Sequence, residues 1–267
     1  MTIRQILLTG DDGYNSIGIR LLVDQLKSKY KLVIAGTKSQ QSGVGGKLSV
    51  FKGGRWSVTT MDGIPALSVS GTPADAIECA RAYFQTKFDL VISGINLGLN
   101  VSDPFTSGTI AAAWRSLKIN LSDRAIAISW DAPSKFYNHS HHGQEELKQF
   151  LNHPGKTAGK IIDLAIEKRF WDSNFLNINL PQKASSRARF GQFLPYISDY
   201  YPDISLYRGK TKHYDFPHIG AVKPKFDSPH AYDAWLVNHG FVSITPCNPD
   251  LIERQTFLKH AEETLKF

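Results

Sequence analysis

Two adjacent acids, Asp11 and Asp12, stand between Gly10 and Gly13 directly after the apolar run at residues 3–9. Consecutive side chains of an extended strand point to opposite faces, so both carboxylates serve one site only where the backbone turns. The flanking glycines permit that turn. Paired carboxylates repel each other unless a cation lies between them or one takes up a proton. The hydroxyl of Ser42 and the amide oxygen of Asn96 complete a donor set made only of oxygen. Such a set suits Mg²⁺ or Mn²⁺ and argues against zinc, because no Cys or His joins it. The bland alternative is a helix-capping Asp beside a turn glycine. A second element is Ser107-Gly108-Thr109, which opens an apolar helical pattern at residues 110–117. Free backbone N–H groups and the positive dipole end make a helix start an anion site, and Gly108 lets a phosphate approach the chain closely. A plain Ser N-cap without ligand is the alternative here. Gly10, Gly13 and Gly18 do not reproduce the G-x-G-x-x-G dinucleotide fingerprint, and there is no Walker lysine motif.

These residues need elements to bring them together. Residues 3–9, 32–37, 66–70, 90–93 and 125–129 read as buried strands, rich in branched side chains and bounded by Gly or polar clusters. Ile19, Leu22, Val23 and Leu26 share one helix face. A second helix starts at Thr72-Pro73-Ala74-Asp75, with Thr72 as cap, Pro73 in the first turn and Asp75 on the positive dipole end. A third follows Ser107, and a fourth spans about residues 155–168 before a strand at 175–180 that Pro181 ends. Strands alternating with helices predict an α/β fold with a mostly parallel, Rossmann-like sheet and helices on both faces. Ligands of such sheets bind beyond the carboxyl ends of the strands. The loops at residues 10–15, 40–46 and 94–100 follow three of the predicted strands and are therefore expected to meet on one edge.

At 267 residues, 42% hydrophobic and 21% charged, the chain has the composition of an ordinary folded domain rather than a disordered or disulfide-stapled one. Cys79 and Cys247 are too few for a disulfide framework or a four-ligand zinc site. No run approaches the roughly 20 apolar residues of a membrane span, and the first nine residues lack the charged start of a secretory signal, so a cytoplasmic protein is expected. The net charge of +7 favours anionic partners. Between Lys183 and Lys225, eight basic residues face three acidic ones, interleaved with aromatics from Phe190 to Phe216. That is the composition of a single-strand-binding surface, or of a hairpin arm with a solvated basic face. Residues 1–181 are read as the core. Residues 182–267 are read as a dependent extension with β-hairpins, a strand at 241–245 and a terminal helix at 251–267. His139, His141 and His142 sit in a segment read as a flexible loop, with metal binding as the alternative.

Seen together, several segments resemble the SurE family, the stationary-phase survival proteins. They are Asp11-Asp12-Gly13 with Gly18-Ile19, Ser42-Gly43-Val44-Gly45, Gly71-Thr72-Pro73-Ala74-Asp75, Ser93-Gly94-Ile95-Asn96, Ser107-Gly108-Thr109 with Ala111-Ala112-Ala113, Asn177-Ile178-Asn179-Leu180-Pro181, and Gly240 to Pro246. The resemblance runs in order from about residue 3 to 250. It implies a divalent-metal-dependent nucleotidase or phosphomonoesterase, with one Mg²⁺ or Mn²⁺ per subunit held by Asp11, Asp12, Ser42 and Asn96. It places Ser107, Gly108 and Thr109 at the phosphate, with Asn100 and Gly43 close by. It also implies a homodimer or homotetramer joined through the C-terminal extension. Two positions depart from the family pattern: Gly10 replaces an Asn before the double Asp, and the segment between Asn100 and Ser107 is about one residue short.

The expected reaction is hydrolysis of a nucleoside 5′- or 3′-monophosphate, with Asp11 or Asp12 orienting or deprotonating the attacking water. No His or Cys lies in these loops to form a covalent phospho-intermediate. The rival reading is a non-catalytic protein of the same fold that binds nucleotide or RNA through its basic aromatic segment.

Overall fold

The computed structural model describes residues 2–136, 141–194, 205–208, 212–215 and 232–247. In chain order the elements are β1 (Gln5–Thr9), α1 (Ile17–Leu26), β2 (Lys31–Thr37), β3 (Trp56–Met61), β4 (Ile64–Val69), α2 (Pro73–Phe84), β5 (Leu90–Leu97), α3 (Gly108–Lys118) and β6 (Ala125–Trp130). They continue with α4 (Thr157–Glu167), β7 (Phe175–Leu180), β8 (Ala188–Phe190), β9 (Ser205–Arg208), β10 (Lys212–Asp215), α5 (Asp233–Asn238) and β11 (Val242–Pro246). Among the described residues, nine strands form one sheet in the order β3-β4-β2-β1-β5-β6-β7-β11-β8, and β9 and β10 pair as a separate antiparallel hairpin.

Alternation along the strands sets the layers. Ile6 and Leu8 of β1 join a core with α1 and α4 on one face, through Leu22, Val23, Ile161 and Ile162. Leu7 faces the other way and packs with Ala76, Ile77 and Ala80 of α2 and Ala112 of α3. Helices thus cover both faces of a mostly parallel sheet, as the sequence predicts. The antiparallel exceptions are β3 against β4 and β11 against β7.

The chain leaves β1 toward β2 and β4 on one side, and returns to lay β5 on the other. The sheet therefore changes direction between β1 and β5, the place where open α/β sheets hold ligands. Gly18 closes that corner: a Cβ there would lie 1.8 Å from the Ile95 carbonyl oxygen, so only glycine lets the first turn of α1 sit on β5.

Some expectations change. β5 does not end at residue 93 but runs to Leu97, with a register irregularity between Ser93 and Asn96, so Gly94 and Asn96 belong to the strand rather than to a loop after it. The sequence reading also misses β3, which joins β4 through Asp62 and Gly63, both at positive φ as a tight hairpin turn demands. It misses the short helix α5 as well. Of the stretch after Pro181, β8 and β11 extend the main sheet. The expected helix at 251–267 and His139 lie outside the described residues. His141 accepts the Ile17 backbone N–H at 3.2 Å. Among the described residues no helix is long and apolar enough to cross a membrane.

Candidate metal and phosphate site

Beyond β1 the chain turns at Gly13, and the two acids separate toward different neighbours on the same edge. Both are buried, at 5% and 4% exposure. Asp11 faces α3: its Oδ1 accepts the Thr109 hydroxyl at 2.5 Å. Asp12 faces β5 and the loop after β2. Its Oδ2 accepts the Leu97 backbone N–H at 3.0 Å, and its Oδ1 accepts Gln40 Nε2 at 3.2 Å. The same Gln40 nitrogen donates to Ser42 Oγ at 3.0 Å. One small donor thus touches both Asp12 and Ser42. Asn96 precedes the residue whose amide holds Asp12, and its own Nδ2 donates to the Gly98 carbonyl at 2.8 Å.

Burial dominates the electrostatics. Loss of water, together with the charge of Asp12, pushes Asp11 up to about 7, against the pull of the Thr109 hydrogen bond. Burial likewise raises Asp12 to about 6, opposed by the Leu97 amide and Gln40. The protein therefore packs two acids where their charged forms are unfavourable and leaves them only a few donors to compensate.

The α3 terminus is built from its cap inward. Ser107 Oγ accepts the Ile110 N–H at 3.1 Å, so the side chain serves as N-cap. Ala111 N–H returns to the Ser107 carbonyl. The N–H groups of Gly108 and Thr109 find no acceptor among the described residues. A Cβ on Gly108 would lie 3.0 Å from both Cβ and Oδ2 of Asp11, so glycine keeps this end of the helix against the carboxylate. Thr109, expected at the phosphate, commits its hydroxyl to Asp11 and retains only its backbone N–H for a ligand.

Other expected residues sit further out. Asn100 donates through Nδ2 to Ser129 Oγ at 2.8 Å, and its N–H is accepted by Asn179 Oδ1 at 2.9 Å. Its carbonyl accepts the amides of Asn177 and Asn179. Gly43 is exposed at φ +73°, with nothing within 4 Å of a Cβ built there. At Gly10 a Cβ would meet Gly94 N at an ordinary 3.6 Å, so space alone does not require glycine.

Several supporting groups carry no functional mark in the sequence reading. Asp75 of the α2 capping box also binds Ser49 through its backbone and hydroxyl, anchoring the far end of the loop that carries Ser42. Gly45 N–H donates to the Thr106 carbonyl at 3.0 Å, tying that loop to the approach to α3. The buried Asp233 accepts the Ser102 N–H at 3.0 Å and so fixes the segment between Asn100 and Ser107. Beside α3 lies a cavity of about 230 Å³, lined by Leu48, Ala74, Phe105, Ile110, Trp114 and Arg115 among others. In the sequence, Asn-x-Asn in the buried β7 is the clearest signal for the groups that support Asn100.

The chain as a whole has relatives among known proteins. The family model described as Survival protein SurE matches residues 6–194. The 5′-nucleotidase SurE of Desulfitobacterium hafniense is 30% identical over 252 residues, covering 93% of this chain and 92% of that protein. The 5′-nucleotidase SurE of Methanopyrus kandleri is 31% identical over 253 residues, 92% of each. The crystal structure of the SurE protein from Aquifex aeolicus has the same fold, with a TM-score of 0.72 at 24% identity over 97% of this chain and 100% of that one. The chain belongs to the SurE survival-protein family.

Proposed function

We propose that this protein hydrolyses nucleoside monophosphates at the β1/β5 corner, with Asp11, Asp12, Ser42 and Asn96 holding a divalent cation. The observation that carries this reading is the pair of buried acids facing the unsatisfied N–H groups at the start of α3. The donors fit a hard dication: they are oxygens, two are buried carboxylates, and the Gln40 amide already reaches Asp12 and Ser42 together. Among the described residues no cluster of three or more His, Cys, Asp or Glu offers a rival site. When bound, Mg²⁺ or Mn²⁺ supplies charge neutralisation for the ester and increases the acidity of a nearby water.

The chain's own groups then divide the work. The N–H groups of Gly108 and Thr109 grip phosphate oxygens and favour the charge that develops on them during displacement. Thr109 holds Asp11 through Oδ1, which keeps a lone pair for the cation, and leaves Oδ2 to take a proton from the attacking water and pass it to the departing nucleoside oxygen. Asp12 is fixed by the Leu97 amide and orients rather than moves. Burial keeps competing water away from both. The apolar cavity beside α3 receives the base; at about 230 Å³ it is smaller than the roughly 300–1,000 Å³ of drug-sized sites, room for a base rather than a whole nucleotide. Assembly into a dimer or tetramer through residues 182–267, and a cytoplasmic location, belong to the same proposal; light scattering with and without residues 248–267 tests the former.

The activity itself is tested by phosphate release from 5′- and 3′-monophosphates and p-nitrophenyl phosphate, with Mn²⁺, Mg²⁺ or EDTA. Metal-dependent release that favours nucleotides supports the reading. Nucleotide binding without release under any metal supports the non-catalytic alternative instead.

A further inference from the structure

A second cavity, of about 430 Å³, opens between α4 and the edge strand β8. One wall carries Lys156, the residue that caps α4, with Lys160 and Leu164 of α4, spaced four apart and therefore on one face. Its opposite wall is formed by residues 184–188, with Arg187 the charged member. Among the described residues no Asp or Glu lines it. Lys156 and Lys160 have no carboxylate partner among the described residues. Three exposed basic residues thus line one concavity, a charge pattern that favours an anionic occupant.

Arg187 is held in place by more than its own chain direction. Its carbonyl accepts the Val242 N–H at 2.8 Å, which ties it to β11. The Ser185 hydroxyl donates to the Gly240 carbonyl at 2.6 Å and accepts the Arg187 N–H, fixing the turn before β8. The guanidinium lies 4.4 Å from the centre of the Phe241 ring, so its planar fork is oriented before any ligand arrives. The hydroxyl of Thr157 and the apolar Ile161, Leu164 and Val242 complete a site that is charged at the rim and greasy at the floor.

We propose that this cavity is a second ligand site, taking an organic phosphate whose phosphates meet Lys156, Lys160 and Arg187 and whose body rests on Ile161 and Val242. It is separate from the Asp11/Asp12 corner: β8 stands five strand positions from β1, on the order of 24 Å at the usual strand spacing. Occupancy by a phosphorylated metabolite would let this face sense the chemical class to which the proposed substrates belong. The inference does not depend on turnover at the Asp pair. It also gives a place to part of the basic segment that the substrate reading leaves unused.

The test is calorimetric titration of the full chain, in EDTA, with ATP, inorganic tripolyphosphate and adenosine as separate probes. One ATP per chain is expected, with adenosine silent. Tripolyphosphate binding as tightly as ATP locates the recognition in the phosphates, and tighter ATP binding assigns a share to the apolar floor. In the double variant Lys160→Glu/Arg187→Glu, ATP affinity falls at least about tenfold, while kcat/KM for p-nitrophenyl phosphate with Mn²⁺ stays within about twofold. Lys160→Gln/Arg187→Gln shows a smaller loss in the same direction. Unchanged affinity in both variants overturns the proposal. So does ATP binding that survives them and disappears in Asp12→Asn, which would assign the nucleotide to the first site.

Discussion

Thr109 and Asp11, ninety-eight positions apart, meet in a 2.5 Å hydrogen bond that joins the start of α3 to the turn after β1. The donor set and the helix-terminus anion site are therefore one mechanical unit. Removing the hydroxyl with Thr109→Val is expected to lower kcat/KM about 10- to 100-fold, the range set by about 1.5–3 kcal/mol for a hydrogen bond to a charged group. Thr109→Ser should restore most of it. Steady-state kinetics on the two variants, with thermal melts to confirm folding, check this.

The paired acids make the metal-free protein sensitive to pH, and the sign is fixed. Asp11 and Asp12 titrate near 7 and 6 in the fold, against 3.8 ordinarily. Between about pH 4 and 7 the folded chain keeps protons that the unfolded chain has lost, so stability falls as pH rises through that window. In EDTA, Tm should be lower at pH 8 than at pH 5. Asp12→Asn should raise Tm at pH 8 by roughly 3–6 °C and flatten the slope. Asp233, which burial also raises to about 7, contributes equally to both proteins, so their difference isolates the pair. Scanning calorimetry across pH 4–8 reads the effect.

Phe105 is 81% exposed at the mouth of the cavity beside α3, and Trp114 lines its wall. If that cavity takes the base, Phe105→Ala raises KM for nucleoside monophosphates about 5- to 30-fold, from about 1–2 kcal/mol of lost stacking. The KM for p-nitrophenyl phosphate should change far less. Parallel kinetics on the two substrates distinguish lost base contact from general damage.

The α/β architecture is readable because its strands are continuous apolar runs. Residues 175–180 form β7 as expected, and Thr72-Pro73-Ala74-Asp75 builds the capping box that its types announce. Gly94 interrupts the apolar run of β5 and conceals its last turn toward the site. β3 hides for a different reason: Trp56 and Val58 are exposed, so no buried alternation marks it, although Asp62-Gly63 is a hairpin signal. Within the site, sequence position brings Asp11, Asp12 and Ser107 to the loops that matter. It says nothing of which way they face. The Thr109–Asp11 bond, the Gln40 bridge and the Asp233 anchor depend on tertiary placement across distant segments, and local periodicity does not encode that.

Asp233 offers a test of positioning away from the reacting atoms. Its carboxylate is fully buried and accepts the Ser102 and Ala234 amides. Asp233→Ala leaves the Ser102 N–H without its partner, at a cost of about 1–3 kcal/mol. The expected result is a KM several-fold higher with a smaller change in kcat, because the segment between Asn100 and Ser107 loosens. Asp233→Asn, which keeps one acceptor oxygen, should fall between.

The most direct measurement is anomalous diffraction from crystals grown with Mn²⁺. A single strong peak per chain within coordination distance of Asp11, Asp12, Ser42 and Asn96, lost in Asp12→Asn together with phosphate release, is the predicted result. Full metal-dependent turnover with the Mn²⁺ peak elsewhere, or with Asp12→Asn as active as the wild type, would contradict the account.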